Sequence, residues 1–412
     1  MTTQPKLRPI DIRPIQHRGQ PALLLRDPLA LSDQTIIVPQ SLGPLLPLLD
    51  GTRNEGAIRA ALEVRAGLRL PPGALTNLLS QLDRALLLDN ERSAKAMGEA
   101  LHAYRDAPCR PPVLAGQGYP AAPDQLQHLL QAYLDSAPPS SPDPDPGEDI
   151  RGLVCPHIDF NRGRTVYAQV WREGAEAVQE AELAVILGTD HMAEDGSLTL
   201  TRQSYATPWG TLPTAQLVVE MVARAMDRRG DPLRSPSFQH ELHHRTEHSV
   251  ELAAVWLHFM RKGREIPLVP ILCGSFAPLF KNDGHPDVLP HLSAAVEALR
   301  KATSRYRTLV IAAGDLAHVG PAFGDSLPLD LLSRARLKAS DEELMGIVCT
   351  GDAQALFQQV KQQSQRRICG LPPIYLALQL LGQAQGTVTG YAQCPADNRG
   401  TSLVSICGIV LR

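Results

Sequence analysis

From about residue 151 onward, apolar runs end abruptly in polar residues able to do chemistry. Leu183–Met192 (LAVILGTDHM) carries five apolar residues and then Gly188, Thr189, Asp190 and His191. Leu153–Asp159 (LVCPHID), Ile266–Gly274 (IPLVPILCG) and Leu309–His318 (LVIAAGDLAH) repeat the pattern. An unbroken apolar run is what a parallel strand buried on both faces requires. Between the runs, 3.6-residue periodicity predicts helices over Val166–Glu180, Thr214–Asp227, Glu247–Met260, Leu289–Ala302, Arg334–Cys349, Gly351–Gln362 and Pro373–Leu381. Thr387–Gln393 and Leu403–Leu411 read as closing strands. The alternation predicts an α/β fold with a mostly parallel central sheet and helices on both faces.

Residues 1–105 form a different pattern. Pro21–Arg26 and Thr35–Pro39 read as short strands, and helices are predicted over Ser41–Leu49, Asn54–Ala66 and Pro72–Asp89. That content is winged-helix-like, a small α+β module preceding the sheet domain. Arg and Asp/Glu are nearly balanced there, and no basic stripe points to DNA. A further helix, Ala122–Ser136, precedes Pro138–Asp149 (PPSSPDPDPGED), whose Pro- and Asp-rich composition builds no core and reads as an exposed, extended stretch.

Composition narrows the function classes. Net charge is −3, so bulk electrostatics give no reason to expect nucleic acid. No run of about 18 apolar residues offers a membrane span, and the first residues lack the apolar core of a signal peptide. The seven cysteines are scattered without CxxC, which argues against a disulfide framework or a zinc ribbon and fits a reducing cytoplasm.

In open α/β sheets, ligands bind beyond the carboxyl ends of the strands. His157, Asp190, His191, Asp315 and His318 all fall there, and imidazoles and carboxylates are ordinary ligands of Fe, Zn, Mn or Cu. Glu247 and His248 open a predicted helix, with Thr246 as its cap; they are either a charged first turn or two groups aimed into the same cleft. His240–His244 (HELHH) matches the zinc-peptidase pattern, which needs both histidines on one continuous helix. Pro232 and Pro236 precede it closely, and a chance match is the better reading. Cys369, after Arg366 and Arg367 and before a predicted helix, is a candidate metal ligand or reactive thiol, because a helix N-terminus favours thiolate.

Taken in order, PPVLAGQGYP, CPHIDFNRG, VILGTDHM, YATPWGTLPT, TEHSVEL, VPILCG, AAGDLAHVG and ICGLPPI resemble the Memo family, specifically the AmmeMemoRadiSam system protein B group, over about residues 110–412. The resemblance makes the AGQGYP segment and its helix the start of that domain, with 138–149 a loop inside it. It implies a fold like that of class III extradiol dioxygenases and a metal pocket of His157, His191 and Cys369; Asp190, Glu247 and His248, read from the strand end and the helix start, are the further candidates for lining that pocket. Asp315 and His318 would be its acid/base residues. A two-histidine, one-thiolate set suits Fe(II) or Cu, with Zn a further option. Two departures from the family pattern stand out: Met192 where a second histidine is usual, and Asp190 where serine is common. Leu45–Leu62 (LLPLLDGTRNEGAIRAAL) resembles PqqD-like peptide-recognition domains; an ordinary helical accessory domain is the other reading. The family implies a radical SAM enzyme and an AMMECR1-like protein as partners. The competing function is a non-catalytic protein that captures a peptide or partner.

Overall fold

A computed structural model describes residues 4–138, 149–193, 195–229, 237–281 and 284–412. The chain divides into two compact units, Met1–Asp106 and Ala107–Arg412.

In the first unit, β1 (Asp11–His17), β2 (Gln20–Arg26) and β3 (Ile36–Pro39) form an antiparallel sheet, followed by α1 (Glu55–Ala66), α2 (Ala74–Arg84) and α3 (Glu91–Asp106). Leu25, Val38, Leu45, Ile58, Leu62, Leu75, Leu79 and Leu82 are its core. Asn54 caps α1 by accepting the Ala57 N–H, and Gly67 ends it at φ 64°, a left-handed position that glycine takes without strain. The helix predicted at Ser41–Leu49 is a 3-10 helix over Gln40–Leu48, because Pro44 and Pro47 remove backbone donors. Neither β1 nor α3 was predicted. β1 carries Pro14 and is largely exposed, and α3 buries only Ser93 and Tyr104.

The second unit runs α4 (Pro123–Ser136), β4 (Gly152–Cys155), α5 (Phe160–Glu173), α6 (Ala175–Glu180), β5 (Leu183–Asp190), β6 (Leu198–Leu200), β7 (Tyr205–Thr207), β8 (Gly210–Leu212), α7 (Gln216–Arg229), α8 (His243–Thr246), α9 (Ser249–Met260) and β9 (Leu268–Gly274). It continues with α10 (Ala277–Phe280), α11 (Pro290–Thr303), β10 (Thr308–Ala313), β11 (His318–Val319), α12 (Leu331–Cys349), α13 (Ala353–Gln362), α14 (Leu371–Leu381), β12 (Gly386–Pro395) and β13 (Leu403–Leu411). Of the Pro/Asp-rich stretch, residues 139–148 lie outside the described residues, as do Pro232 and Pro236.

The sheet order is β11-β13-β4-β10-β5-β9-β6, with β12 on β13. Its centre, β4-β10-β5-β9, is parallel, and both flanks pair antiparallel. Along β5, Leu183, Val185 and Leu187 pack into one apolar layer, while Ala184 and Ile186 pack into the other. That two-residue alternation between two covered faces explains the unbroken apolar run. The mixed α/β architecture expected from the sequence is present. No helix among the described residues is long and apolar enough to cross a membrane.

Three of the boundaries that differ from expectation have a local cause. β4 stops at Cys155, before Pro156, which has no N–H for the ladder. The helix expected over Val166–Glu180 is two: α5 starts at Phe160, capped by Asp159 accepting the Arg162 N–H, and breaks at Gly174, where a Cβ would lie 2.8 Å from Leu153 Cδ2. α9 begins at Ser249, and Thr246 ends α8 instead of capping α9.

Candidate metal centre

Three elements bring His157, His191 and Cys369 together: the turn after β4, the end of β5 and the entry to α14. Their ligand atoms all lie within 4.8 Å of one another, and Cys369 Sγ is 3.3 Å from His157 Nε2. Glycines permit this convergence. A Cβ at Gly314 would sit 2.4 Å from Gly370 Cα, and one at Gly188 would sit 2.6 Å from Ser249 Oγ. Without side chains there, the loop bearing Cys369 lies directly on the loop after β10, and α9 starts against the tip of β5. The Gly370 N–H donates to the Asp315 carbonyl and Thr189 Oγ1 donates to the Cys369 carbonyl, which fixes the thiol-bearing turn.

Each imidazole has one nitrogen committed. His157 Nδ1 lies 3.1 Å from the Ala313 carbonyl, which can only accept, so Nδ1 keeps its proton there and Nε2 is the nitrogen that faces Cys369. His191 Nδ1 donates to Glu247 Oε2 at 2.9 Å, again leaving Nε2. This is the outer-shell arrangement found behind metal-binding histidines. Glu247 does more than orient His191. Its Oε2 also accepts the His191 N–H (3.3 Å), while Oε1 accepts the N–H groups of His248 (2.8 Å) and Ser249 (3.0 Å). The carboxylate therefore caps the start of α9 from two residues before it, the task expected of Thr246. His191, Glu247 and His248 form a second close group, with the two imidazoles stacked at 5.2 Å. His157 is buried, whereas the His191 and His248 side chains keep 39% and 38% exposure, so the site opens to solvent on their side.

Electrostatics follow from these contacts. Burial alone would push the Cys369 thiol up; His157 and His318 beside it, with hydrogen bonds from His157 and His191, pull it down to about 5. Burial opposes charge on His157, but Asp315 and Cys369 outweigh it and hold the imidazole up at about 9. Burial likewise disfavours charge on His191 and Glu247, yet their mutual attraction holds His191 well above and Glu247 well below their ordinary values. His248 is driven down to about 4 by burial, against the pull of Glu247. The sulfur is thus already a thiolate, the form a metal ion needs, and His157 and His191 would give up their Nε2 protons as the ion binds.

The other expected residues take distinct places. Asp315 is buried, and its Oδ1 accepts the N–H groups of His157 (2.9 Å) and Ile158 (3.3 Å), so it shapes the His157 turn. His318 lies on β11 and not at the tip of β10. Its Nδ1 faces the carbonyls of Leu316 (3.2 Å) and Arg367 (3.1 Å), leaving Nε2 for chemistry. Asp190 accepts the Met192 N–H on Oδ1 and pairs through Oδ2 with His243 Nδ1 at 2.8 Å, which ties α8 to the end of β5. The HELHH match is structural. His240 lies in a turn outside α8, His244 is spent on the Tyr205 hydroxyl and the Thr199 carbonyl, and Glu241 accepts from Thr201 and Arg202.

Sequence reasoning missed a buried pair beneath the site. Arg110 forms an ion pair with Glu251 and donates to the carbonyls of His244 and Glu247. Glu251 also accepts from Tyr119 Oη and from the N–H groups of Val113 and Leu114. That is how the RPPVLAGQGYP segment locks onto the helix behind Glu247. The available signal was a single carboxylate inside the apolar helix SVELAAVWLHFM. A cavity of about 680 Å³ lies at the amino ends of the sheet strands, lined by Arg151, Arg307 and Glu180 among others, well away from these donors.

Comparison with known proteins agrees with this architecture. The Memo-like protein family matches residues 110–410. A MEMO1 family protein of Aquifex aeolicus is 24% identical over 99% of both chains, so that alignment runs through the N-terminal unit as well. The MEMO1 family protein TTHA0924 of Thermus thermophilus is 26% identical over 79% of this chain and 90% of its own. The protein memo-1 homolog of Caenorhabditis elegans is 24% identical over 64% of this chain and 69% of its own. The chain belongs to the family of Memo-like proteins.

Proposed function

We propose that this Memo-like protein binds a redox-active metal, iron or copper, through His157 Nε2, His191 Nε2 and Cys369 Sγ, and works in dioxygenase-like chemistry with a radical SAM enzyme and an AMMECR1-like partner. One observation supports the reading most. Three donor atoms from distant parts of the chain lie within 4.8 Å of each other, and the second nitrogen of each histidine is already hydrogen-bonded. A thiolate with two imidazoles is a soft set that favours Fe(II), Cu or Zn over Mg or Ca. When bound, such an ion would supply a Lewis-acidic centre with open positions. The protein's own groups do the rest: Glu247 orients His191, Asp315 holds the His157 turn, and His318 Nε2 gives or takes a proton at the bound substrate.

The test is elemental analysis of anaerobically purified protein alongside His157→Ala, His191→Ala and Cys369→Ser. Iron or copper near one per chain that falls in all three variants supports the reading. Unchanged metal in all three, or zinc alone in the native protein, overturns it. Co-purification with a radical SAM enzyme tests the partnership separately.

A further inference from the structure

Aromatic residues make up only 4% of the sequence, yet all three tryptophans gather on one array behind the pocket. Trp256 stacks nearly parallel with Trp171 (6.3 Å, 10°) and with Tyr167 (5.7 Å, 9°). Tyr167 in turn donates its hydroxyl to the Ile158 carbonyl, one residue from His157. In the other direction, Trp256 meets Phe259 at 5.6 Å, and Phe259 meets the partly buried Trp209 at 5.9 Å. A side branch leads from Trp256 through Phe160 (6.1 Å) to Tyr119 (5.4 Å).

Two features distinguish this from ordinary core packing. The buried indole N–H groups of Trp171 and Trp256 have no hydrogen-bond partner among the described residues, a rare and costly condition for buried donors. An indole that loses an electron there has no group to take its proton, so the charge passes on instead of being trapped. Tyr119 is the opposite case. Its hydroxyl donates at 2.6 Å to Glu251, a carboxylate that can take the proton when the ring is oxidised.

We propose that Trp209, Phe259, Trp256 and Tyr167 form a conduit for single electrons between the protein surface and the metal pocket, with Trp171 stacked beside Trp256 and Tyr119–Glu251 as the resting place for an oxidising equivalent. With oxidised iron or copper held by His157, His191 and Cys369, the ion would gain one electron, and a one-electron donor of iron–sulfur or flavin type at Trp209 would lose it. If no donor is present, Tyr119 supplies the electron and its proton moves to Glu251. Phe259 and Phe160 serve as bridges between the oxidisable rings. The purpose of the conduit rests on the redox reading above, but the conduit can be measured without metal.

The experiment is pulse radiolysis of metal-free full-length protein with azide radical, which takes one electron from accessible tryptophan. At Trp209 the indole proton leaves to water, and a proton returns from water when the Tyr119 electron arrives, while the Tyr119 proton moves to Glu251. The expected result is first-order decay of the tryptophanyl signal matched by growth of a tyrosyl signal, at a rate independent of protein concentration. Tyr119→Phe, which keeps the ring packing, abolishes that growth and lengthens the tryptophanyl lifetime. Trp256→Phe abolishes it as well, with circular dichroism confirming the fold. Second-order decay without tyrosyl growth, or identical kinetics in native protein and Tyr119→Phe, overturns the proposal. Because no metal is present, that result leaves the metal reading intact, and loss of the metal reading leaves the conduit intact.

Discussion

Replacing Glu247 by glutamine should separate the electrostatic role of this residue from its shape. The carboxylate accepts from four donors: His191 Nδ1 and N–H on one oxygen, and the His248 and Ser249 N–H groups on the other. Glutamine has one acceptor oxygen, so in either amide orientation two donors lose their partner and face an NH₂ group. Each buried donor left unpaired costs about 1–3 kcal/mol. The metal-free protein should therefore lose about 2 kcal/mol or more in urea unfolding, with an unchanged slope. Metal affinity should fall as well, because an imidazole hydrogen-bonded to a carboxylate is the stronger donor. Loss of such an outer-shell partner typically weakens binding about 10–100-fold, or about 1.4–2.7 kcal/mol. Competition against a chelator of known affinity reads the second effect, and urea titration reads the first. Native-like affinity in a properly folded Glu247→Gln protein would refute the claim that Glu247 tunes His191.

Three further outcomes follow from the geometry. Gly314→Ala places a methyl group 2.4 Å from Gly370 Cα, so the Cys369 loop must shift; stability should fall by about 1–3 kcal/mol, and metal content should fall with it. Arg110→Met strands the buried Glu251 carboxylate and should cost about 3–5 kcal/mol in unfolding titrations, a loss absent if the pair is only decorative. His244 is held down at about 4 by burial, against about 6.5 when unfolded. Between these values the unfolded chain binds the extra proton, so His244 supports the fold fully above pH 6.5 and loses that support as pH falls toward 4. The maximum is about 3 kcal/mol, and His244→Gln should flatten that part of the stability–pH curve.

Much of the fold was legible because buried parallel strands announce themselves. Leu183–Leu187 faces apolar layers on both sides and could be nothing but apolar. α3 was not legible, since a helix that buries only two residues leaves no stripe to read. The three-residue β6, β7 and β8 are too short for a period to register. At the site, His157, His191 and His318 stood out at the ends of apolar runs, although His318 belongs to its own short antiparallel strand. Cys369 stood out only as a thiol at a helix N-terminus, not as the partner of these histidines. It meets a histidine 212 residues away across two glycines packed face to face, a contact no local spacing encodes. Resemblance to a family supplied it. Asp190 serves the Met192 turn and His243.

The central claim is that two imidazoles and a thiolate hold one metal ion. X-ray absorption spectroscopy of the metal-loaded full-length protein tests it most directly. The expected spectrum has one sulfur scatterer at about 2.3 Å, the usual metal–thiolate length, together with imidazole scattering from two histidines, and the sulfur shell vanishes in Cys369→Ser. A first shell of nitrogen and oxygen alone in the native protein, unchanged by Cys369→Ser, would contradict it.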